Sequence, residues 1–141
     1  MGFLGNFSGR TLLISLDRGD LFIESIEREA AEAGFRNAVI VSAIATFEKL
    51  VMHRVLTLDE KAVESYETYE TPLELSSVDG MIIDGHIHLH FTASDPDNVY
   101  IGHLEPGTKV MYLAEILLAE IDGMGVKRIK NELGINKVRK V

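Results

Sequence analysis

The chain has 141 residues, 46% of them hydrophobic, which suits one folded domain with a sizeable core and excludes a disordered segment. It has no cysteine, which excludes disulfides and thiolate chemistry. The net charge of −8 is unevenly divided: residues 124–141 carry six basic residues and one acidic, residues 1–123 carry eight basic and twenty-one acidic, so only the tail suits a phosphate backbone. No apolar run reaches the roughly 18 residues that a membrane-spanning helix needs. No secretory leader pattern is evident either, and the expectation is a soluble cytoplasmic protein.

Arg10–Leu16 is short and aliphatic and reads as a strand. Asp17-Arg-Gly-Asp20 reads as a turn, with Asp20 placed to cap a helix over 21–33 (about 20–34 with its flanks). Phe22, Ile23, Ile26, Ala30 and Ala33 form its apolar stripe, and Gly34 suits its C-terminal end. Residues 37–46 form a continuous small and β-branched run, the pattern of a strand buried on both faces. A further strand is expected over 49–58, where His53 stands alone and reads as structural. Residues 62–71 alternate as an exposed or edge strand does, and Pro72 ends them. Leu73–Val78 reads as a short strand ended by a hairpin turn at Asp79-Gly80.

Two more strands follow, 81–92 and 99–104, joined by the turn Asp95-Pro-Asp-Asn98; Glu105-Pro-Gly107 makes the next turn. Helix and strand compete for 108–121, and its position after a hairpin with no cap favours strand. Residues 126–133 read as one or two turns of helix with Gly134 behind them. The pattern is α+β: a single compact domain, an antiparallel-rich sheet, one main helix and a short C-terminal helix. Residues 1–123 form the domain, and 124–141 a basic tail.

Chemistry concentrates in Asp84-Gly-His-Ile-His-Leu-His-Phe91. Four of the five histidines lie within residues 86–103. Side chains alternate along a strand, so His86, His88 and His90 share one face. A turn closed by Asp95 and Asn98, with Pro96 in the position that type I geometry favours, sets His90 opposite His103. His88 is then diagonal to His103, and Glu105 lies opposite His88. Imidazoles suit Zn, Fe, Ni or Cu, and three of them leave a position for water or a ligand. His86, Glu105, Glu115 and Asp84 are available to complete the shell or to orient an imidazole from behind. The alternative is that the histidines hydrogen-bond at a subunit interface or line a solvated sheet face. A register slip of one residue separates His103 from the others. No phosphate-loop or dinucleotide fingerprint is present.

Several short stretches, in order, carry a family resemblance. They are Gly9-Arg-Thr-Leu-Leu13, Leu16-Asp-Arg-Gly-Asp20, Val41-Ser-Ala-Ile-Ala45 and Pro72-Leu-Glu-Leu-Ser-Ser-Val-Asp-Gly80, then His88-Leu-His90, Gly102-His-Leu104, Gly107-Thr108 and Ala114-Glu-Ile116. Together they resemble the plants-and-prokaryotes-conserved (PPC) domain, which plants attach to AT-hook DNA-binding motifs and prokaryotes usually carry alone. The resemblance reaches to about Gly123. It implies a compact α+β fold, a homotrimer, and a role for His88, His90 and His103 through the family's His-x-His and Gly-His pattern, with His86 outside it. Ala43 and Ala45 stand where the family commonly has glycine. The AT-hook core Arg-Gly-Arg-Pro is absent.

Three functions follow as expectations. The first is a trimeric regulatory or scaffolding module holding a divalent transition metal, zinc before others, at His88, His90 and His103. It would touch DNA through the tail cations Lys127, Arg128, Lys130, Lys137, Arg139 and Lys140, which trimerisation gathers. The second is a zinc enzyme, hydrolytic, with Glu105 or Glu115 as base. The third is a binding protein for a small ligand, without metal.

Overall fold

The computed structural model describes residues 1–141. In chain order the elements are β1 (Asn6–Asp17), α1 (Phe22–Glu32), β2 (Ala38–Val55), β3 (Glu64–Tyr69), β4 (Leu73–Ile83), β5 (His86–Ser94), β6 (Val99–Leu104), β7 (Lys109–Asp122), β8 (Val126–Lys130) and β9 (Asn136–Lys140). The organising strand is β2. The two strands expected over 37–46 and 49–58 are one, with register shifts between Ile40 and Ser42 and on either side of Phe47. Such irregularities bend a strand and increase its twist. The first part of β2 therefore pairs with β7 and β4, and its last part with β3 and β6. The sheet runs β1-β7-β2-β4-β5-β6, and β6 then returns to β2 at Met52–Leu104 and His53–His103. All the pairings are antiparallel.

α1 covers the inner face. Phe22, Ile23, Ile26 and Ala30 are buried, and the Phe22 ring meets Phe47 edge-on at 5.2 Å. The helix ends as expected: Gly34, at φ 77°, gives its N–H to Ala31, and Phe35 gives its own to Ala30. Its start differs. Leu21 holds the N-cap position without a side-chain bond, and the Asp20 carboxylate instead accepts the Asp17 N–H at 2.9 Å. Asp20 thus closes the turn before the helix. α1 has 11 residues and no helix of the chain is long and apolar enough to cross a membrane.

Three further expectations are corrected. The hairpin turn lies at Asp84-Gly85, both at positive φ, and β4 runs straight through Asp79-Gly80. Gly80 serves close approach there: a Cβ on it would lie 2.0 Å from the His88 carbonyl oxygen. Residues 37–46 are not buried on both faces, since Val41, Ser42 and Ile44 are exposed. The C-terminal helix is absent, and 126–140 form the hairpin β8–β9. The spacing of Val126, Ile129 and Leu133 fits a helix, but Asn131 Oδ1 accepts the N–H groups of Leu133 and Ile135 and folds the chain back. A side chain that satisfies backbone donors in this way competes directly with helix.

Candidate metal centre

The β5–β6 hairpin has the register that its turn implies. Asp95 Oδ1 accepts the N–H groups of Asp97 and Asn98 at 2.9 and 2.8 Å, and the pairs run from Ser94–Val99 to His90–His103. β6 then leaves β5 and pairs with β2, which brings His53 opposite His103 from the other side. Gly102 permits this crossing, because a Cβ would lie 2.7 Å from the His53 carbonyl oxygen. Four imidazoles from three strands meet as a result. Ring centroids are 4.3 Å apart for His53–His103, 4.7 Å for His88–His103, 5.3 Å for His88–His90 and 5.6 Å for His90–His103.

Glu105 lies behind this group. Its carboxylate bonds His53 Nδ1, and Oε1 is 3.0 Å from His103 Nδ1. That second approach is close but poorly directed, so His103 Nδ1 is buried with no hydrogen-bond partner. Burial pushes the His103 imidazole down to about 4, helped by the neighbouring His53 and His90. His88 is also pushed down to about 4, first by desolvation and then by His103, Arg128, His90 and His53. His88 opens onto a cleft, so water screens part of that repulsion. Both rings are neutral at pH 7, the protonation state that a metal needs.

Glu105 is not opposite His88, because β6 has already turned to β2 and the Glu105 N–H bonds Val51 O. His86 is exposed at the start of β5, on the rim of the cleft. Asp84 is committed to Arg36, with Nε 2.7 Å from Oδ1. Glu115 lies between Ser15 and Ile44 on the opposite part of the sheet and does not line the histidine cleft. His53 was expected to be structural and is part of the cluster. Only the β2–β6 pairing could have revealed it, and that joins segments about fifty residues apart.

A model of the Plants and Prokaryotes Conserved (PCC) domain matches residues 5–122. The chain belongs to that family. Among solved structures it is similar to a plant- and prokaryote-conserved protein from Pyrococcus horikoshii (24% identity, TM-score 0.80, 100% of this chain and 98% of that one). It is similar to a metal-containing protein from Archaeoglobus fulgidus (24%, TM-score 0.78, 95% and 94%). It is also similar to a "putative dna binding protein" from Bacteroides thetaiotaomicron (18%, TM-score 0.77, 97% and 96%). At these identities the likeness is one of fold. No curated protein matches the chain.

In this PCC domain the donor set fits a metal. The donor atoms of His53, His103 and Glu105 lie within 4.8 Å of one another, and His103 Nδ1 is a buried nitrogen without a partner. Of the ligands expected from sequence, His103 is in that group. His88 and His90 stand beside it with their rings facing the cleft. The cleft has a volume of about 1100 Å³, and its far wall is the β8–β9 hairpin, outside the family match. The strand period divides the tail cations. Arg128 and Lys130 line the cleft, whereas Lys127, Lys137 and Arg139 take the other face of the hairpin, and Lys140 lies at the hairpin's end.

Proposed function

We propose that this protein is a homotrimeric metal-binding module with a regulatory or scaffolding role in the cytoplasm, and that it holds zinc at His88, His90 and His103. The observation that carries this reading is the convergence of four imidazoles around the His103 ring, whose buried Nδ1 has no hydrogen-bond partner. Neutral imidazole is a borderline ligand, and without thiolates the donor set favours a divalent transition metal over a hard cation. Glu105 then acts from behind, orienting His53 through its Nδ1 as a carboxylate does in a carboxylate–histidine–metal arrangement. The rival ligand set is His53, His103 and Glu105, whose donor atoms are already close.

Elemental analysis of protein purified without a His tag tests both sets. One equivalent of zinc per chain is expected, lost in His88→Ala, His90→Ala and His103→Ala and kept with lower affinity in His53→Ala. Loss in His53→Ala together with retention in His88→Ala moves the site to the rival set. No stoichiometric metal in any form of the folded protein sinks the reading.

The trimer rests on the outer face of β1, β7 and β2. Leu13, Ile44 and Leu113 are exposed there, and alternation along paired strands places them with Leu117 on one face, around Glu115. Trimerisation would gather three hairpins, whose outward Lys127, Lys137 and Arg139 suit phosphates while the acidic body does not. If DNA is a partner, deletion of 124–141 abolishes a salt-dependent mobility shift. An unchanged shift removes the tail from the account.

A further inference from the structure

We propose that the cleft between the histidines and the β8–β9 hairpin binds a small oxyanion-bearing molecule, a carboxylate or a phosphate ester, gripped by Arg128 and Lys130. The inference deepens the metal reading and rests on it for one half of the grip. The argument begins with cations that have nothing to pair with. Arg128 and Lys130 project from the same face of β8 into the cleft, and neither takes part in any ion pair of the chain. Arg128 Nε is also buried from water and has no hydrogen-bond partner.

A buried donor left unmade is unfavourable, and a guanidinium more so. The charge of the surroundings sharpens the point. Residues 1–123 carry twenty-one acidic side chains, so an arginine seeking only a structural carboxylate has many to choose from. The acidic groups that line this cleft are Glu27, Asp59, Glu60 and Glu64. Glu27 accepts the Ile87 N–H and Glu64 the Tyr66 hydroxyl. None of the four pairs with Arg128.

A cation beside a metal site is repulsive unless an anion lies between them. A guanidinium offers two parallel N–H groups, the geometry that carboxylate and phosphate oxygens accept. A ligand oxygen held by Arg128, with a second oxygen turned toward the histidines, satisfies both requirements. The cleft's volume of about 1100 Å³ admits a metabolite rather than a single ion.

The test is calorimetric titration of the zinc-loaded full chain with inorganic phosphate and, separately, with malonate. These two probes distinguish the phosphoryl from the carboxylate source. Binding of one of them is expected, weakened at least tenfold by Arg128→Gln and less by Arg128→Lys and Lys130→Gln. Arg18→Gln, an exposed cation outside the cleft, leaves it unchanged. Equal weakening by Arg18→Gln and Arg128→Gln means diffuse charge and overturns the site. Absence of binding by both probes at millimolar concentration overturns it as well.

Metal content is measured on the same samples, which separates the two readings. Protein that takes up zinc but binds neither anion rejects the anion site alone. Protein that takes up no zinc but binds an anion through Arg128 rejects the metal reading and keeps the anion site. Circular dichroism checks that Arg128→Gln is folded, and Arg128→Lys serves if it is not.

Discussion

At the scale of single residues, two polar groups dominate, one buried and one half-buried. Glu120 is 5% exposed and is held by Arg10, whose Nη1 lies 3.0 Å from Oε1, and by the Ser8 hydroxyl at 2.7 Å. Arg10 also donates to Ala33 O at 2.6 Å and lies over the Phe35 ring, so it ties β1 to the end of α1. Arg10→Ala leaves a buried carboxylate with one hydroxyl for company. Urea unfolding is expected to show a loss of about 1–3 kcal/mol. Arg10→Ala combined with Glu120→Gln should lose less than the sum of the two single changes, and strict additivity would mean that the pair is not coupled.

The second group is His103. Its folded value of about 4 lies below the ordinary value of 6.5, so the unfolded chain takes up a proton that the folded chain refuses. Stability is therefore full above pH 6.5 and falls as pH drops from 6.5 through 4. The groups facing His103 are His53, His88, His90, Glu105 and Glu64. The metal-stripped protein should show this decline in urea midpoint between pH 7 and pH 4.5, and His103→Gln should flatten it. Parallel profiles for the two proteins would remove His103 as the cause.

At the scale of elements, two glycines hold the site together. Gly80 lets β4 approach β5 at His88, and Gly102 lets β6 cross to β2 at His53. Gly80→Ala must displace β5 at His88, with a stability loss of about 1–3 kcal/mol and weaker zinc uptake. Gly34→Ala, at φ 77° with open space around it, should destabilise the protein while zinc uptake stays at the wild-type level. Equal zinc uptake by the two variants would contradict this role for Gly80.

The same elements explain what could be read from sequence. His90 opposite His103 was legible because a short hairpin fixes its own register through Asp95, Pro96 and Asn98. His53 was not, since its place depends on bends in β2 and on a distant pairing. Asp79-Gly80 and Asp84-Gly85 are identical dipeptides, and only packing decides which one turns. The C-terminal hairpin is not legible in the sequence, because Val126, Ile129 and Leu133 fit helix spacing while Asn131 fixes a turn.

At the scale of the whole molecule, the proposed trimer depends on the outer face of β1, β7 and β2. The continuous apolar run at 37–46 has the composition of a strand covered on both sides, yet in a single chain α1 and the core cover only one. Leu13 is 70% exposed, Ile44 60% and Leu113 45%, around Glu115 and beside Leu117. Large exposed aliphatic side chains gathered on one sheet face suit an association surface. If copies of the chain cover one another here, Ile44→Asp sets a second carboxylate beside Glu115 in the middle of the contact and leaves the folded interior untouched, because its side chain points away from the core. Sedimentation of the wild-type protein should then give three times the 15.6 kDa chain mass, and Ile44→Asp should give the single chain. The histidine cleft is built within one chain, from β2, β5, β6 and β8, so the monomeric variant should keep its zinc. A wild-type protein that sediments at 15.6 kDa would leave this face without its partner copies, and a monomer that has lost its zinc would place part of the site across the interface.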